Sequence, residues 1–357
     1  MPALFKAHPE LEEKIPRIPL GIFPTPVRPL RRLGNGILWI KRDDLSSAVY
    51  GGNKIRKLEY ILAEVKKRKA GHVITFGGIG TNHGLATAIF CNQLGIACTL
   101  LLFWQPVTAH VQQNLRLFKK YDANLCYQKS LWNNIFGYYL SERIKHPGAY
   151  FLFAGGSNVS GTIGYIDAAY ELAEQIKQKE FSEPAAIICP VGSGGTLSGL
   201  SLGVQLAGLR TEVIGVRVSA SHLGPFQACT PGTVKKLMLK TYRHLKKICR
   251  NLPDIELKIP QILQDYFGEG YGFPTRKGQR ACQLAKDVED IILDPTYTAK
   301  AFAAALDYCR DRSKGSKPIL YWHTYNSVDL SKQAASADDR QLPKPLRVFI
   351  AQEPIEL

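Results

Sequence analysis

Three glycine-rich turns hold most of the residues in this 357-residue chain whose types and spacing could do chemistry. The first is PVGSGGTLSGL, Pro190–Leu200, which follows the apolar run AAIIC and opens a helical pattern. Gly192, Gly194 and Gly195 let the backbone approach an anion closely, and the amides of Ser193 to Thr196 sit at the positive end of the helix that follows. A phosphate cradle and a tight packing turn would both use these glycines, so this segment alone leaves both readings open. It is no nucleotide fingerprint: G-x-G-x-x-G would need glycine at Leu197, and the Walker pattern needs a lysine that is missing.

The second turn is GGNKIRKLEY, Gly51–Tyr60, where Lys54 follows two glycines at a helix start. Such a lysine is either solvated or, held in a desolvated turn, a nucleophilic amine able to bond a carbonyl. Paired with a phosphate cradle it is more specific, because a phosphorylated aldehyde needs both an amine and an anion site. That chemistry points to pyridoxal 5′-phosphate. The third turn is FGGIGTNHG, Phe76–Gly84. Thr81 and Asn82 offer a hydroxyl and an amide at a helix start, which suits a substrate carboxylate and equally suits simple capping. His83 reads as a packed or cap-region histidine, or as a further substrate contact.

These turns need a frame of strands and helices. Apolar β-type runs are expected near residues 37–41, 72–76, 97–103, 125–127, 150–153, 186–190, 213–218, 291–293 and 319–323. Helical patterns fill 54–69, 84–94, 109–120, 162–178, 197–207, 276–286 and 299–312. The alternation predicts an α/β fold with open, twisted, mainly parallel sheets and helices on both faces, its ligand site at the carboxyl ends of the strands. The length suggests two lobes, and no Pro/Ser-rich linker separates them.

Composition excludes other classes. With 45% hydrophobic and 21% charged residues the chain should fold. No apolar run reaches the ~20 residues of a spanning helix, and MPALFKAHPELEEKIP lacks the apolar core of a secretory signal. Eight cysteines without a C-x-x-C pair predict buried, reduced thiols, no metal site and a cytoplasmic protein. The net charge of +16 is the anomaly, and it concentrates in Val234–Arg250, VKKLMLKTYRHLKKICR, a basic amphipathic helix without an acid. This helix is either a solvated face over a core contact or a surface for nucleic acid or anionic membrane. No zinc-finger spacing, RRM-like aromatic box or heptad array supports a nucleic-acid partner.

TPVRPL, IKRDDL, GGNKIRKLEY, TNH, AGGSN, GSGGT, DYFGEGYGFP, ILDPTYTAKA and ILYWHT occur in that order. Through them, from about Thr25 to Thr324, the chain resembles the pyridoxal-phosphate fold type II enzymes, specifically the group holding D-cysteine desulfhydrase and 1-aminocyclopropane-1-carboxylate deaminase. The resemblance implies a tryptophan synthase beta-like, two-domain architecture. Its cofactor domain would be residues 1–52 with 167–357, with a smaller domain, 53–166, inserted between, in a homodimer acting on a small amino acid. It implies that Lys54 bonds the cofactor and moves the Cα proton, that Gly192, Ser193, Gly194, Gly195 and Thr196 hold the phosphate, and that Asn82 lies near the phenolic oxygen. Thr81 would bind the substrate carboxylate, Tyr271 and Tyr297 would flank the reacting substrate, and Thr298 and Thr324 would surround the pyridine nitrogen.

Two stretches depart from the family pattern. Relatives read S-N-H where this chain has TNH, and H-T-G-G or H-L-G-G where it has HTYN, with Tyr325 and Asn326 in place of the glycines. The carboxyl-terminal run RVFIAQEPIEL also extends beyond the usual end. The ring-opening deaminase carries glutamate and leucine where Thr298 and Thr324 stand, whereas the desulfhydrase carries threonine at both. The expected reaction is therefore conversion of D-cysteine to pyruvate, ammonia and sulfide. Cyclopropane opening, or a catalytically impaired cofactor-binding or regulatory role, remains as an alternative.

Overall fold

The computed structural model describes residues 1–223, 226–310, 312 and 316–355. Asp311, within the expected 299–312 helix, and Glu356 and Leu357, at the end of RVFIAQEPIEL, lie outside the described residues. The strands are β1 Val27–Pro29, β2 Leu38–Arg42, β3 His72–Gly78, β4 Ala97–Phe103, β5 Asn124–Tyr127, β6 Tyr150–Phe151, β7 Ala186–Val191, β8 Glu212–Arg217, β9 His222–Leu223, β10 Phe226–Gln227, β11 Gln261–Leu263 and β12 Ile319–His323. The longer helices are α1 Asn53–Lys67, α2 Asn82–Gln93, α3 Ala109–Lys120, α4 Val159–Lys177, α5 Gly195–Leu206, α6 Pro231–Ile248, α7 Arg276–Glu289, α8 Thr298–Arg310 and α9 Lys344–Ala351.

The chain divides into two units, residues 1–60 with 157–327 and residues 61–156 with 328–357. The larger unit is built on a six-stranded sheet of order β1-β2-β12-β7-β8-β11, parallel except for the β1–β2 pair. The apolar run AIICPV of β7 is buried throughout, as expected of a strand covered on both faces. Because β2, β12 and β7 are parallel and in register, with His323 opposite Arg42, their carboxyl ends deliver Asp43, Thr324 and Gly192 to one edge of the sheet. The smaller unit has a four-stranded parallel sheet of order β5-β4-β3-β6.

The division differs from the one expected on sequence. Residues 328–355 group with the smaller unit because they pack on α3. The Gln112 side-chain amide lies 2.9, 3.2 and 2.7 Å from the carbonyl oxygens of Phe349, Ile350 and Gln352. Arg116 grips Asp339 through two bonds of 2.8 and 3.1 Å, and the Ile355 amide donates to the Val107 carbonyl. Two further expectations fail. Residues 291–293 form no strand: Ile291 and Leu293 are buried while Ile292 is exposed, but the segment ends α7, with the Ile291 amide donating to the Ala285 carbonyl. The parallel strand β11 was not anticipated, since QIL is short and follows a polar stretch. The basic helix α6 buries Val234, Met238, Thr241 and Leu245 and exposes Lys235, Lys236, Lys240, Arg243 and Lys247, which is the arrangement of a solvated face over a core contact. Among the described residues no helix is long and apolar enough to cross a membrane.

Under the sheet edge of the larger unit lies a balanced group of buried charges. Arg56 donates to both oxygens of Asp43 and to both oxygens of Glu171, at 2.8–3.0 Å. Asp43 also accepts from the Tyr165 hydroxyl at 2.8 Å, the Trp322 indole at 2.7 Å and the Thr25 hydroxyl at 2.9 Å. Lys41 donates to Glu171, to Gln175 and to the Thr25 carbonyl. Two cations and two anions share many donors, so burial is offset by pairing. Helix α4 comes close enough to α1 that a Cβ on Gly164 would lie 1.9 Å from the Arg56 carbonyl oxygen. Burial alone would raise the Glu171 carboxyl, but Arg56 and Lys41 outweigh it and hold it down to about 2. Its contribution to stability is therefore present above the ordinary carboxylate range and lost as pH falls towards about 2. Glu171→Gln should lower the unfolding free energy at neutral pH by roughly 3–5 kcal/mol, read by denaturant titration, because it strands part of a buried guanidinium.

Candidate active site

The site in the larger unit starts from the turn between β7 and α5. Gly194 adopts φ 86°, the left-handed region that favours glycine, and lets the turn fold back so that α5 begins at Gly195. The Gly195 amide donates to Ser157 Oγ at 2.9 Å, and Ser157 and Ser193 share a hydroxyl–hydroxyl bond of 2.7 Å. Asn53, next to Lys54 at the start of α1, donates to Thr196 Oγ1 at 3.2 Å. A Cβ on Gly195 would lie 3.0 Å from Lys57 Nζ, so a second lysine stands against the same turn. Lys57 was missed on sequence, although GGNKIRK places it one helical turn after Lys54.

Lys54 is half-buried. Burial lowers its amine to about 8, against the opposing pull of Asp294. Burial also pushes the Lys57 amine well below the lysine range, and the Lys54 charge adds to the effect. Two ammonium groups so close disfavour each other, and a bound anion would relieve both.

The other wall comes from the segment before α8. Asp294 caps that helix, its Oδ1 accepting from the Tyr297 amide at 2.7 Å and its Oδ2 from the Thr298 amide at 3.1 Å and the Thr298 hydroxyl at 2.6 Å. The Thr298 hydroxyl proton is thus committed to Asp294. Asp294 is the second residue that sequence reading missed; the signal was D-P-T-Y-T, an acid at the start of a helix. Tyr297 lies against the turn between β7 and α5, with its ring 3.7 Å from where a Cβ on Gly192 would sit. Its hydroxyl meets that of Tyr271 at 2.6 Å. Burial raises both phenols, that of Tyr297 further because of its neighbour, so both hold their protons at neutral pH. Lys300 secures the Tyr271 segment by donating to the Phe267 carbonyl at 2.7 Å. Thr324 is buried at the end of β12.

Thr81, Asn82 and His83 belong to the smaller unit. Thr81 caps α2, accepting from the Gly84 amide at 3.2 Å. Asn82 Oδ1 accepts from Asn114 at 3.0 Å and lies 2.8 Å from His110 Nε2. His83 is buried, with Nε2 3.0 Å from the Thr75 hydroxyl.

The profile of the pyridoxal-phosphate dependent enzymes matches residues 18–324. The chain belongs to this family. It is 33% identical over 328 residues to a protein of Thermotoga maritima described as a putative 1-aminocyclopropane-1-carboxylate deaminase, covering 89% of this chain and 98% of the relative. It is also 33% identical over 324 residues to the D-cysteine desulfhydrase of Klebsiella pneumoniae, covering 87% of this chain and 94% of that enzyme. The crystal structure of a 1-aminocyclopropane-1-carboxylate deaminase homologue superposes with a TM-score of 0.75 at 28% identity, covering 94% of this chain and 99% of the other. Serine racemase from Dictyostelium discoideum, at 18% identity and a TM-score of 0.62, shares the fold.

The residues of the larger unit fit the family's cofactor. The turn 192–196 offers amides at a helix N-terminus, and a Cβ on Gly195 would crowd the Ser157 hydroxyl and the Lys57 amine beside them, so the glycine keeps these groups open to a phosphate. Lys54 offers an amine with a lowered proton affinity to an aldehyde. Gly194→Val would strain the left-handed backbone of the turn and crowd Cys229 and Val234 behind it. This variant should lose pyridoxal phosphate on dialysis at least about ten-fold faster than wild type while remaining folded, as read from the visible absorbance retained.

Proposed function

We propose that the protein is a pyridoxal-phosphate dependent lyase that removes the β-substituent of a small D-amino acid, in the manner of a D-cysteine desulfhydrase. When bound, pyridoxal phosphate supplies an electron sink for the negative charge that develops at Cα. Lys54 Nζ, an amine whose proton affinity burial sets near 8, takes the Cα proton. The Tyr271–Tyr297 pair keeps its protons at neutral pH and hands one to the departing sulfur. Gly192, Ser193, Gly194, Gly195 and Thr196 hold the phosphate with Lys57; the resemblance gives Thr81 the substrate carboxylate and Asn82 the phenolic oxygen, and His83 is a further substrate contact. The balance is D-cysteine plus water giving pyruvate, ammonia and hydrogen sulfide.

The observation that carries this reading over ring opening is the neutral character of positions 298 and 324. The Thr298 hydroxyl donates a hydrogen bond to Asp294 and bears no charge, and Thr324 offers another neutral hydroxyl. A carboxylate at position 298 would favour a protonated pyridine nitrogen and a stronger electron sink. Expelling sulfide from Cβ demands less electron withdrawal than breaking an unassisted carbon–carbon ring bond. Purified protein should therefore release sulfide from D-cysteine faster than 2-oxobutanoate from 1-aminocyclopropane-1-carboxylate. Faster formation of 2-oxobutanoate would assign the deaminase reaction, and formation of neither product would favour an impaired, cofactor-binding protein.

A further inference from the structure

The turn that carries Lys54 has no side chains of its own until Asn53, because residues 51 and 52 are both glycine. Its shape must be imposed from outside. Three consecutive amides do this: Gly51 donates to Asn326 Oδ1 at 2.6 Å, Gly52 to the Asp43 carbonyl at 2.8 Å, and Asn53 to the Thr324 carbonyl at 3.2 Å. The glycines are needed for the close approach. A Cβ on Gly51 would lie 2.1 Å from the Asp44 carbonyl oxygen, and one on Gly52, at φ 87°, would lie 2.6 Å from the carbonyl oxygens of both Thr324 and Tyr325. The segment after β12 closes from the same side, since Ser327 Oγ donates to the Asp44 carbonyl at 2.8 Å. Of the three acceptors, two are backbone carbonyls that any sequence would present. The third exists because residue 326 is asparagine.

We infer that Asn326 is a positioning residue for Lys54: its side-chain oxygen clamps the Gly51 amide and so fixes the glycine turn from which Lys54 emerges. The HTYN stretch thereby contributes a side-chain hold on the lysine's turn. Tyr325 stands beside it, half-buried, its phenol pushed up to about 12 by burial and by the charge of Asp294, so it remains neutral. Removing the Asn326 oxygen leaves a partly buried amide without this acceptor in a flexible Gly-Gly turn, and the lysine three residues on loses its fixed approach.

The inference rests on Lys54 being the cofactor lysine, and the test separates the two claims. Wild type, Asn326→Ala, Asn326→Asp and Lys54→Ala are compared as purified, pyridoxal-phosphate-loaded proteins. The readouts are thermal midpoint, pH titration of the visible cofactor band, and kcat and KM for whichever of D-cysteine and 1-aminocyclopropane-1-carboxylate is turned over. Asn326→Ala should shift the band's pH midpoint by at least about half a unit and lower kcat about ten-fold, with KM changed less than about two-fold. Asn326→Asp, whose carboxylate can accept the same amide proton, should recover kcat to within about three-fold of wild type. An Asn326→Ala protein that matches wild type in both titration and kcat would overturn the clamp, as would an Asn326→Asp protein no better than Asn326→Ala. If Lys54→Ala kept the wild-type band, the assignment of Lys54 itself would fall; if it lost the band while Asn326→Ala behaved as wild type, only the clamp would. Should neither substrate turn over, the band titration decides alone.

Discussion

The buried guanidinium of Arg56 is the interaction on which the frame around Lys54 depends. Set among Asp43, Glu171 and Thr25, it joins the end of β2 to α4 and to the first turn of α1. Trp322 brings β12 to the same carboxylate. Lys54 lies two residues before Arg56 on α1, so this charge group anchors its helix from the carboxyl-terminal side while the bonds of Gly51, Gly52 and Asn53 hold the turn before it. A polar group of this kind adds little net stability over an apolar packing of equal volume, but breaking it leaves an uncompensated buried charge. It serves here as a registration device, bringing the ends of two strands and the start of α1 to the middle of α4.

On that base the site is arranged by electrostatics. Burial lowers Lys54 to about 8 and pushes Lys57 down as well, while the phenols of Tyr50, Tyr271, Tyr297 and Tyr325 are raised. Asp294 is the anion whose field reaches Lys54 and these phenols, and it is fixed by the helix it caps. The result is a place with available amines, protonated phenols and an amide-lined turn. An amine that can accept a proton beside hydroxyls that can donate one is the pairing that acid–base chemistry at neutral pH needs.

Much of this was legible in the chain. The β–α alternation marked most strands of both sheets, and the glycine turns marked the helix starts that follow them, because buried parallel strands and helix-opening glycines leave local patterns. IKRDDL and RKLEY were visible as motifs, but their physical role was not, since Asp43, Arg56 and Glu171 meet only in three dimensions. Asp294 and Lys57 carried local signals, a capping acid and a one-turn spacing, that compete with many solvated residues of the same kind. Strand β11 and the attachment of residues 328–355 to α3 depend on long-range partners that no local pattern encodes. Asn326 read as a departure; its contact with Gly51 spans 275 residues of sequence.

In the proposed function one lysine, Lys54, is set up by this framework to bond pyridoxal phosphate. The most direct measurement is borohydride reduction of the loaded protein, proteolysis, and mass spectrometry to find the lysine that carries the phosphopyridoxyl group. A single modified residue, Lys54, is expected, with Lys57 unmodified. A phosphopyridoxyl group on Lys57, on Lys300 or on any other lysine, with Lys54 unmodified, would contradict this assignment.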